Sequence, residues 1–324
     1  MKLALAGDTM LGRGVAESLT APDRPSLFAP AVIEIAREAD LFVLNLECCI
    51  SDRGEPWPDP RKPFFFRAPP VAVEVLKELG VDCVTLANNH ALDFGFDALS
   101  DTFEHLLAAG IQWVGAGPDI ERARAPVVLE AQGTRVAVIG ASDHPSDFAA
   151  AADRPGVALA ELGSQVSPWL LEHIRTHERD VVLVTPHWGP NMTPEPVGPV
   201  RAAAEALLRA GAGLIAGHSA HVFHGVSPPV LFDLGDFVDD YAIDPVLRND
   251  LGLLFIVTIE GDRPTRVEAI PLALDYCYTR LATDQEAEWI RDRFVSACKT
   301  LDTEATIEGD RLVVELDRGG RGTA

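Results

Sequence analysis

The sequence predicts an α/β fold, and two observations carry this prediction. First, short apolar runs such as residues 41–44, 81–86 and 181–184 alternate with segments of helical apolar spacing such as residues 96–109. This pattern is expected when helices join buried strands. Second, several of these runs end in carboxylates, side-chain amides or imidazoles. Open α/β sheets place their ligand sites at the carboxyl ends of strands, so we expect a site there.

Length and composition indicate one globular domain. A chain of 324 residues is within the range of a single large α/β domain, and 47% hydrophobic with 23% charged residues is an ordinary soluble composition. No internal repeat, charge block or linker divides the chain. We expect one domain over residues 1–318 and a disordered tail at residues 319–324, since that glycine-rich segment has nothing to bury.

The charge of the chain limits its partners. The 27 basic and 49 acidic side chains give a net charge of −22. The resulting negative electrostatic potential repels polyanions, which excludes nucleic acid as a partner. It also argues against an anionic polymer as substrate, unless bound metal makes the potential positive in the cleft. The apolar run in residues 1–7 is too short for a signal peptide, and Asp8 ends it. No stretch approaches the roughly 18 apolar residues of a membrane span. We therefore expect a cytoplasmic protein without a membrane partner; its oligomeric state stays open.

The first half of the chain alternates between strands and helices. Strands are predicted at residues 2–7, 41–44, 81–86 and 111–114, and helices at residues 31–39, 70–79 and 96–109. Gly80 and Gly110 follow two of these helices, as glycine does at helix C-termini. Residues 51–67 form a loop rich in Pro, Gly and aromatic side chains, which we expect to be an ordered wall of a substrate site.

The second half continues the pattern and then becomes antiparallel. Its predicted elements are a hairpin of residues 127–131 and 134–140, helices at 167–176, 199–210 and 283–298, and strands at 181–184, 212–216, 230–237, 251–260, 266–271 and 311–315. Gly133 lies in the hairpin turn. Residues 143–163 are irregular, and we assign them no role beyond covering the site.

Polar side chains follow five of the predicted strands. They are Asp8; Asn45 and Glu47; Asn88, Asn89 and His90; His187; and His218 with His221. Carboxylate, amide and imidazole groups are the donors that hard or borderline divalent metals accept, and a shared sheet edge would bring them together. Singly, each has an ordinary interpretation as a helix cap, a turn residue or a core histidine. Their joint occurrence at five strand ends favours a functional site.

These motifs resemble those of the calcineurin-like metallophosphatase superfamily and, within it, the CapA family associated with poly-γ-glutamate capsule synthesis. The segment Gly7-Asp8-Thr9-Met10-Leu11-Gly12-Arg13-Gly14 is similar to the opening motif of the family. The following motifs occur in family order: Asn45-Leu46-Glu47, Asn88-Asn89-His90-x-x-Asp93-x-Gly95, His187-Trp188-Gly189, Gly217-His218-x-x-His221 and Leu234-Gly235-Asp236-Phe237. The last of these more often contains Asn in the family. The resemblance covers residues 2–275.

The resemblance implies a four-layer αββα sandwich with metal ligands on loops at one edge. The implied ligands are Asp8, Glu47, Asn89, His187, His218 and His221, with His90 as a nearby general acid or base. The implied cofactor is a divalent metal (Mn, Zn, Fe, Mg or Ca), and no organic cofactor is expected. Two departures from the phosphatase pattern matter: Met10 stands where an imidazole is usual, and Glu47 replaces the metal-bridging Asp. They argue against a full two-metal centre.

Three functions follow from this resemblance. One is metal-dependent hydrolysis of a phosphoester or related bond, with His90 protonating the leaving group. Another is epimerisation of the C-terminal residue of a ribosomal precursor peptide, because CapA-like proteins also occur in lasso-peptide pathways. The third is a non-enzymatic accessory role in polyglutamate assembly, which the charge of the chain disfavours.

Of the three, we favour the epimerase. The missing imidazole speaks against the hydrolase, and the expected cytoplasmic location speaks against capsule chemistry. Inversion needs acid and base groups around the α-carbon, for which the candidates are His90, His187, His221, Asp8 and Glu47. A peptide substrate would contact Arg13, Trp57, Arg67, Trp188, His224 and Asp236.

Overall fold

The computed structural model describes residues 1–23, 25–177 and 179–316. The predicted tail at residues 319–324 lies outside these ranges. Within the described residues the α-helices are α1 (Arg13–Thr20), α2 (Pro30–Ala36), α3 (Val73–Leu79), α4 (Gly95–Ala109), α5 (Ile120–Arg124), α6 (Pro168–Thr176), α7 (Gly198–Ala210) and α8 (Asp284–Lys299). Short 3₁₀ helices span Pro70–Ala72 and Ser146–Phe148. None of the helices in this part of the chain has the length and apolar character that crossing a membrane requires.

The strands fall into two large sheets and two short pairs. In chain order they are β1 (Lys2–Thr9), β2 (Leu41–Leu46), β3 (Cys49–Ile50), β4 (Arg67–Ala68), β5 (Cys83–Thr85), β6 (Gln112–Val114), β7 (Ala116–Gly117), β8 (Val127–Ala131), β9 (Thr134–Ser142), β10 (Gly156–Val157), β11 (Val181–His187), β12 (Leu214–Ala216), β13 (Val226–Ser227), β14 (Val230–Leu231), β15 (Asp236–Val238), β16 (Leu251–Glu260), β17 (Arg263–Asp275), β18 (Tyr278–Leu281), β19 (Thr306–Glu308) and β20 (Arg311–Glu315).

The larger sheet has ten strands in the order β19-β20-β17-β16-β1-β2-β5-β6, with β15 beside β1 and β18 beside β17. Strands β15, β1, β2, β5 and β6 run parallel, whereas β16 joins β1 antiparallel. The smaller sheet has six strands in the order β13-β14-β12-β11-β9-β8, and its four central strands β14, β12, β11 and β9 are parallel. Each sheet therefore has a parallel region whose strand ends share one edge.

The two sheets pack face to face between two layers of helices. Along β1, Leu3 and Leu5 point into the core between the sheets, whereas Ala4 and Ala6 point towards α1–α4. This alternation follows the two-residue period of a strand that is buried on both faces. Helices α6 and α7 cover the outer face of the smaller sheet. The predicted four-layer αββα sandwich is confirmed, and α8 packs against β13 of one sheet and β16 and β17 of the other.

One predicted strand is wrong in a way that matters for the site. Residues 230–237 do not form a single strand, because β14 belongs to the smaller sheet and β15 pairs parallel with β1 of the larger one. The chain crosses between the sheets at Gly235, whose φ of 75° favours glycine. A Cβ atom at Gly7 would lie 1.8 Å from the carbonyl oxygen of Gly235, so the backbones can approach only because Gly7 has none. This crossing places Asp236 beside Asp8.

Candidate metal centre

The carboxyl ends of the parallel strands from both sheets meet at one edge of the sandwich. Asp8, at the end of β1, is paired in register with Asn45 of β2 and Asp236 of β15. At the end of β11, His187 forms a bridge with His218, which follows β12. Most carboxylates at this edge come from the ten-stranded sheet, and most imidazoles follow strands of the six-stranded sheet. The predicted convergence of these side chains is found in the structure.

Two groups of potential metal ligands share Asp8. Ligand atoms of Asp8, Glu47 and His187 lie within 4.8 Å of one another, and so do those of Asp8, His221 and Asp236. The Nδ1 atom of His221 lies 2.8 Å from Oδ1 of Asp236 and 3.3 Å from Oδ2 of Asp8. The Nε2 atom of His187 lies 3.9 Å from Oε1 of Glu47. Asp8 is thus the residue on which both groups depend.

The other two predicted ligands are His218 and Asn89. The Nδ1 atom of His218 is 3.7 Å from Oδ1 of Asp8. The side-chain oxygen of Asn89 is buried and has no hydrogen-bond partner. Asn88 has a structural role instead, since its amide donates to Oδ1 of Asn45 at 3.0 Å and to a backbone carbonyl. Of the two adjacent asparagines, Asn89 therefore has the free acceptor.

Unpaired buried atoms converge on the two groups. Within the part of the chain that the structure describes, the atoms without a hydrogen-bond partner include Oδ2 of Asp8, both carboxylate oxygens of Glu47, Oδ2 of Asp236, Nδ1 of His187 and Nδ1 of His218. Each such atom costs about 1–3 kcal/mol when it is left unsatisfied in a protein interior. Native structures rarely contain several of these atoms in one place without an ion, a water molecule or a functional reason. Here they are carboxylate oxygens and imidazole nitrogens, which are the atoms that coordinate divalent metals in proteins.

Electrostatics supports the same interpretation. Burial, and then the charge of Asp8, raise the pKa of Glu47 well above its usual value. Burial lowers the pKa of His218 to about 4 and lowers that of His187, so both imidazoles are neutral at neutral pH. At His221 burial disfavours the imidazolium, but the charges of Glu47 and Asp8 outweigh it and raise the pKa. Buried carboxylates that lack enough positive charge nearby, together with neutral imidazoles, form a suitable environment for a divalent cation.

Met10 does not leave the second group incomplete. Its side chain is fully buried on the helix side of the larger sheet, and its sulfur accepts a hydrogen bond from the backbone of Gly12 at 3.0 Å. The sequence expectation of a depleted centre rested on this position and on Glu47 in place of the usual bridging Asp. The structure adds the carboxylate of Asp236, which the crossing strand brings next to Asp8 and His221.

The histidine-rich segment after β12 has an unusual backbone. Ser219 has a φ of 114° and His221 a φ of 59°, values that residues other than glycine rarely adopt. Such conformations cost free energy and persist only where surrounding contacts hold them. One such contact is Asp233, whose carboxylate accepts hydrogen bonds from the backbone of Ala220 at 2.8 Å and of Gly235 at 2.9 Å. The turn that carries the chain to β15 therefore also fixes the segment that presents His221.

His90 is held by a chain of charged groups next to the ligand groups. Its Nδ1 atom lies 2.6 Å from Oδ2 of Asp93, and Lys62 lies 2.8 Å from the other oxygen of that carboxylate. The imidazole stacks on Phe66 with 4.0 Å between ring centroids. Burial lowers the pKa of His90 to about 4, although Asp93 partly offsets this effect. The ring is thus fixed through Nδ1, and within the described residues no hydrogen bond engages its Nε2 atom.

The two arginines predicted to bind substrate are engaged by the protein. Arg13 forms an ion pair with Asp240 at 2.8 Å. Arg67 donates hydrogen bonds to the backbone carbonyls of Arg53 and Gly54 at 3.0 and 3.1 Å. Arg13 keeps about a third of its side chain exposed, at 34%. A substrate role for either arginine stays a prediction.

The two tryptophans that were predicted to contact a substrate differ in their surroundings. Trp57 is partly buried, and its indole nitrogen donates to Asp147 at 2.8 Å while its ring packs edge-on against Phe148. It thereby joins the aromatic loop to the covering segment of residues 143–163. Trp188 is buried in the outer core of the smaller sheet, where its indole donates to the carbonyl of Phe232 at 2.9 Å. This position gives Trp188 a packing role and no open surface for a substrate.

His224 and Asp236, the other predicted substrate contacts, are also buried. The Nε2 atom of His224 lies 2.8 Å from the backbone carbonyl of Thr193, and its Nδ1 atom has no partner. Nothing in its contacts brings it to the two ligand groups. Asp236 belongs to one of these groups, so the structure places it as a candidate ligand.

Three residues near the centre were not singled out from the sequence. They are Lys62, which holds Asp93; Tyr241, whose ring lies 5.4 Å from that of His221; and His144, whose ring lies 5.4 Å from that of His187. All three lie in irregular segments without hydrophobic periodicity. The only available signal was the aromatic and proline-rich character of the loop that contains Lys62.

Comparison with known proteins identifies the family of this chain. The family model described as "Bacterial capsule synthesis protein PGA_cap" matches residues 2–241. This chain belongs to that family. A probable polyglutamine synthesis accessory protein of Mycobacterium tuberculosis is 29% identical, with 95% of this chain and 94% of the relative aligned. The PGA biosynthesis protein CapA of Bacillus subtilis is 28% identical over 74% of this chain and 63% of its own length. The resemblance to CapA proteins is confirmed, whereas the names of these relatives say nothing of lasso peptides.

A solved structure supports the fold alone. The crystal structure of a hypothetical protein from Thermus thermophilus aligns with a TM-score of 0.50 at 18% identity, over 84% of this chain and 98% of that protein. At this identity the likeness says nothing about the reaction.

Proposed function

We propose that this PGA_cap family member is a metal-dependent hydrolase that cleaves a phosphoester or related bond at the edge where the two sheets meet. The observation that carries the proposal is the pair of ligand groups that share Asp8, lined by buried atoms without partners. Asp8, Glu47 and His187 would hold one divalent ion, and Asp8, His221 and Asp236 a second. Metal bound there would activate water and stabilise negative charge on the reacting group.

The protein's own residues would complete hydrolysis through proton transfer. When the oxygen of water forms its bond to the reacting centre, the bond to the leaving oxygen breaks and that oxygen needs a proton. His90 is neutral at neutral pH, and Asp93 holds its Nδ1 atom at 2.6 Å and leaves Nε2 free. Nε2 would accept a proton from the attacking water and pass it to the leaving oxygen. Lys62 holds Asp93 in turn. The names of the relatives suggest polyglutamate or capsule synthesis as the setting of this reaction.

The experiment compares protein stripped of metal by a chelator with protein reloaded with Mn²⁺, using an aryl phosphate as substrate. We expect turnover only after reloading. His90→Asn should reduce kcat by about 10² or more, the usual contribution of a general acid. The matched control is His105→Asn on α4, away from the ligand groups, which should keep full activity. Absence of turnover by reloaded protein, or equal rates for the two variants, would contradict the proposal.

A second candidate is the peptide epimerase, and one observation favours it. Two imidazoles near the ligand groups are each held by a carboxylate through Nδ1: His90 by Asp93 and His144 by Asp143. Inversion of an α-carbon needs a base on one face and an acid on the other, which two such pairs would provide. Incubation with a candidate precursor peptide in D₂O tests this function. Deuterium at the α-carbon of its C-terminal residue is the expected result, and its absence would count against epimerisation.

A further inference from the structure

An open cavity of about 590 Å³ is lined by residues at the two ends of the segment 143–163 and by residues that directly follow it. Its lining includes Asp143, Leu159, Glu161, Ser164, Gln165 and Ser167. The two carboxylates in this lining come from Asp143 and Glu161, and none of the nine residues that line the cavity is basic. The role of this segment was left open by its sequence, and the proposed reaction does not use the cavity.

The cavity lies near the candidate metal centre but shares no lining residue with its two ligand groups. Leu159 forms a bridge with Ser142, and Ser142 is paired with His187. Because neighbouring strands lie about 4.8 Å apart, Leu159 is about 10 Å from His187. Asp143 lies between the two sites, since its backbone N–H donates to the carbonyl of His187 at 3.1 Å and its carboxylate accepts from Gly189 at 2.9 Å.

His144 stands beside the metal centre, next to Asp143 of the cavity lining. Its Nδ1 atom is hydrogen-bonded to the carboxylate of Asp143, and its backbone carbonyl accepts from Ser142 at 2.6 Å. The side chain is 36% exposed, in contrast to the buried imidazole of His187 at 5.4 Å between ring centroids. Within the described residues no hydrogen bond engages its Nε2 atom. An accessible imidazole with one fixed nitrogen is therefore available to contact a substrate.

The charges of the cavity determine what it accepts. The carboxylate of Asp143 is already engaged by His144 and by the backbone N–H of Gly189. Within the described residues no ion pair engages the exposed carboxylate of Glu161, which lies in the same lining as hydroxyl and amide side chains. The net charge of −22 adds a field of the same sign. Such a site favours groups that donate hydrogen bonds or carry positive charge, and it rejects carboxylates by repulsion and loss of hydration.

We propose that this cavity binds the leaving part of the substrate and selects a neutral or cationic group over a carboxylate, with His144 contacting the substrate beside it. The inference rests on the proposed hydrolase activity. In that reaction the oxygen of water bonds to phosphorus, the bond from phosphorus to the leaving oxygen breaks, and the alcohol takes a proton. The alcohol is the part that occupies the cavity.

Two phosphate esters with leaving alcohols of two carbons test the selection. Phosphoethanolamine carries an ammonium group on the leaving part, and phosphoglycolate carries a carboxylate. We expect kcat/KM of protein reloaded with Mn²⁺ to favour phosphoethanolamine by about tenfold. Glu161→Lys should reduce this ratio by about fivefold or more, because it replaces a cavity carboxylate with a cation. Equal kcat/KM values for the two esters would overturn the proposal.

The matched control is Glu172→Lys, the same charge change at an exposed position of α6 outside the cavity lining. We expect it to keep the wild-type ratio. An equal change in both variants would assign the effect to the overall field and overturn the cavity as its source. Thermal unfolding of both variants shows whether they are folded.

Binding measurements separate this inference from the reaction. Calorimetric titration of the two esters into reloaded protein reports their affinities whether or not they are hydrolysed. If neither ester is cleaved but phosphoethanolamine binds more tightly and Glu161→Lys removes that preference, the hydrolase fails and the cavity assignment stands. If both esters are cleaved with equal affinity, the hydrolase stands and the cavity assignment fails.

Discussion

The two sheets of this protein contribute different chemistry to one site. The ten-stranded sheet supplies the carboxylates of Asp8 and Asp236 from its strands and that of Glu47 immediately after β2. The six-stranded sheet supplies His187 at the end of β11, and His218 follows the neighbouring strand β12. Neither set is a complete metal site, because both candidate groups combine carboxylates of one sheet with an imidazole from the other. The site therefore depends on the packing of the two sheets.

The two sides of the site also differ in the direction of their pKa shifts. Burial and neighbouring carboxylates raise the pKa values of Glu47 and Asp236 on the acidic side, whereas burial lowers those of His187 and His218 on the other. Among the nearby imidazoles, only that of His221 has a raised pKa, so His187 and His218 do not compensate the acids. A cation between the sheets would do so, and it would add a bond between the two layers.

Asp8→Asn should have the largest effect, because this carboxylate belongs to both ligand groups. We expect loss of bound metal at both and a decrease in kcat of about 10³ or more, since metal supplies most of such catalysis. Metal content after dialysis and turnover of the aryl phosphate measure the two effects. Asp262→Asn, at an 82% exposed side chain, is the control and should bind metal normally. Full metal content in Asp8→Asn would contradict the shared role.

Single imidazole variants should divide the site. His187→Gln removes a ligand only from the group with Glu47, and His221→Gln only from the group with Asp236. We expect each to reduce the affinity of one metal by at least about 10- to 100-fold and to leave the other bound. Calorimetric titration with Mn²⁺ resolves the two affinities. Loss of both ions in both variants would show that the groups are not separable.

The dependence on sheet packing can be tested at two adjacent leucines. Leu253 and Leu254 of β16 are both fully buried, but Leu253 faces the other sheet and Leu254 faces the helices. Replacing either with Ala should lower the free energy of unfolding by about 2–5 kcal/mol. We expect Leu253→Ala to weaken metal binding by several-fold more than Leu254→Ala. Chemical denaturation and metal titration measure the two effects, and equal metal affinities would argue against coupling through the core between the sheets.

The smallest expected effect concerns α8, which contacts strands of both sheets. Hydrogen bonds from Arg280 lower the pKa of Glu286 to about 2, below its ordinary 4.5. The resulting stabilisation is present above pH 4.5 and is lost as the pH falls towards 2. Glu286→Gln should therefore cost about 1 kcal/mol at pH 7 and nothing near pH 2, since the pair is partly exposed. Chemical denaturation between pH 2 and pH 7 measures the free energy of unfolding of this variant and of the control Glu288→Gln. A loss of stability that does not depend on pH would contradict the ion pair as its cause.

The sequence was sufficient to find candidate ligands that follow regular strands. Asp8, Glu47, His187 and His218 come directly after apolar runs, and the common edge of a parallel sheet predicts that they meet. Asp236 was predicted as a substrate contact, since its position depends on the change of sheet at Gly235. That change depends on contacts between distant segments, and the apolar pattern of residues 230–237 concealed it.

Residues in loops were harder to predict for a related reason. Lys62, His144 and Tyr241 lie in segments whose side chains have no periodic relation to a core. Their positions are set by individual contacts, such as the ion pair of Lys62 with Asp93 at 2.8 Å. Trp188 shows the converse. It adjoins the candidate ligand His187 in sequence, but its side chain is buried in the core.

The most direct test of a metal centre shared by the two sheets is a crystal of the protein soaked in Mn²⁺ and measured at a wavelength where manganese scatters anomalously. We expect anomalous peaks between the sheets, one within reach of Asp8, Glu47 and His187 and one within reach of Asp8, His221 and Asp236. Absence of any peak at this edge, with Mn²⁺ bound elsewhere or not at all, would contradict the claim that the two sheets jointly form a metal centre.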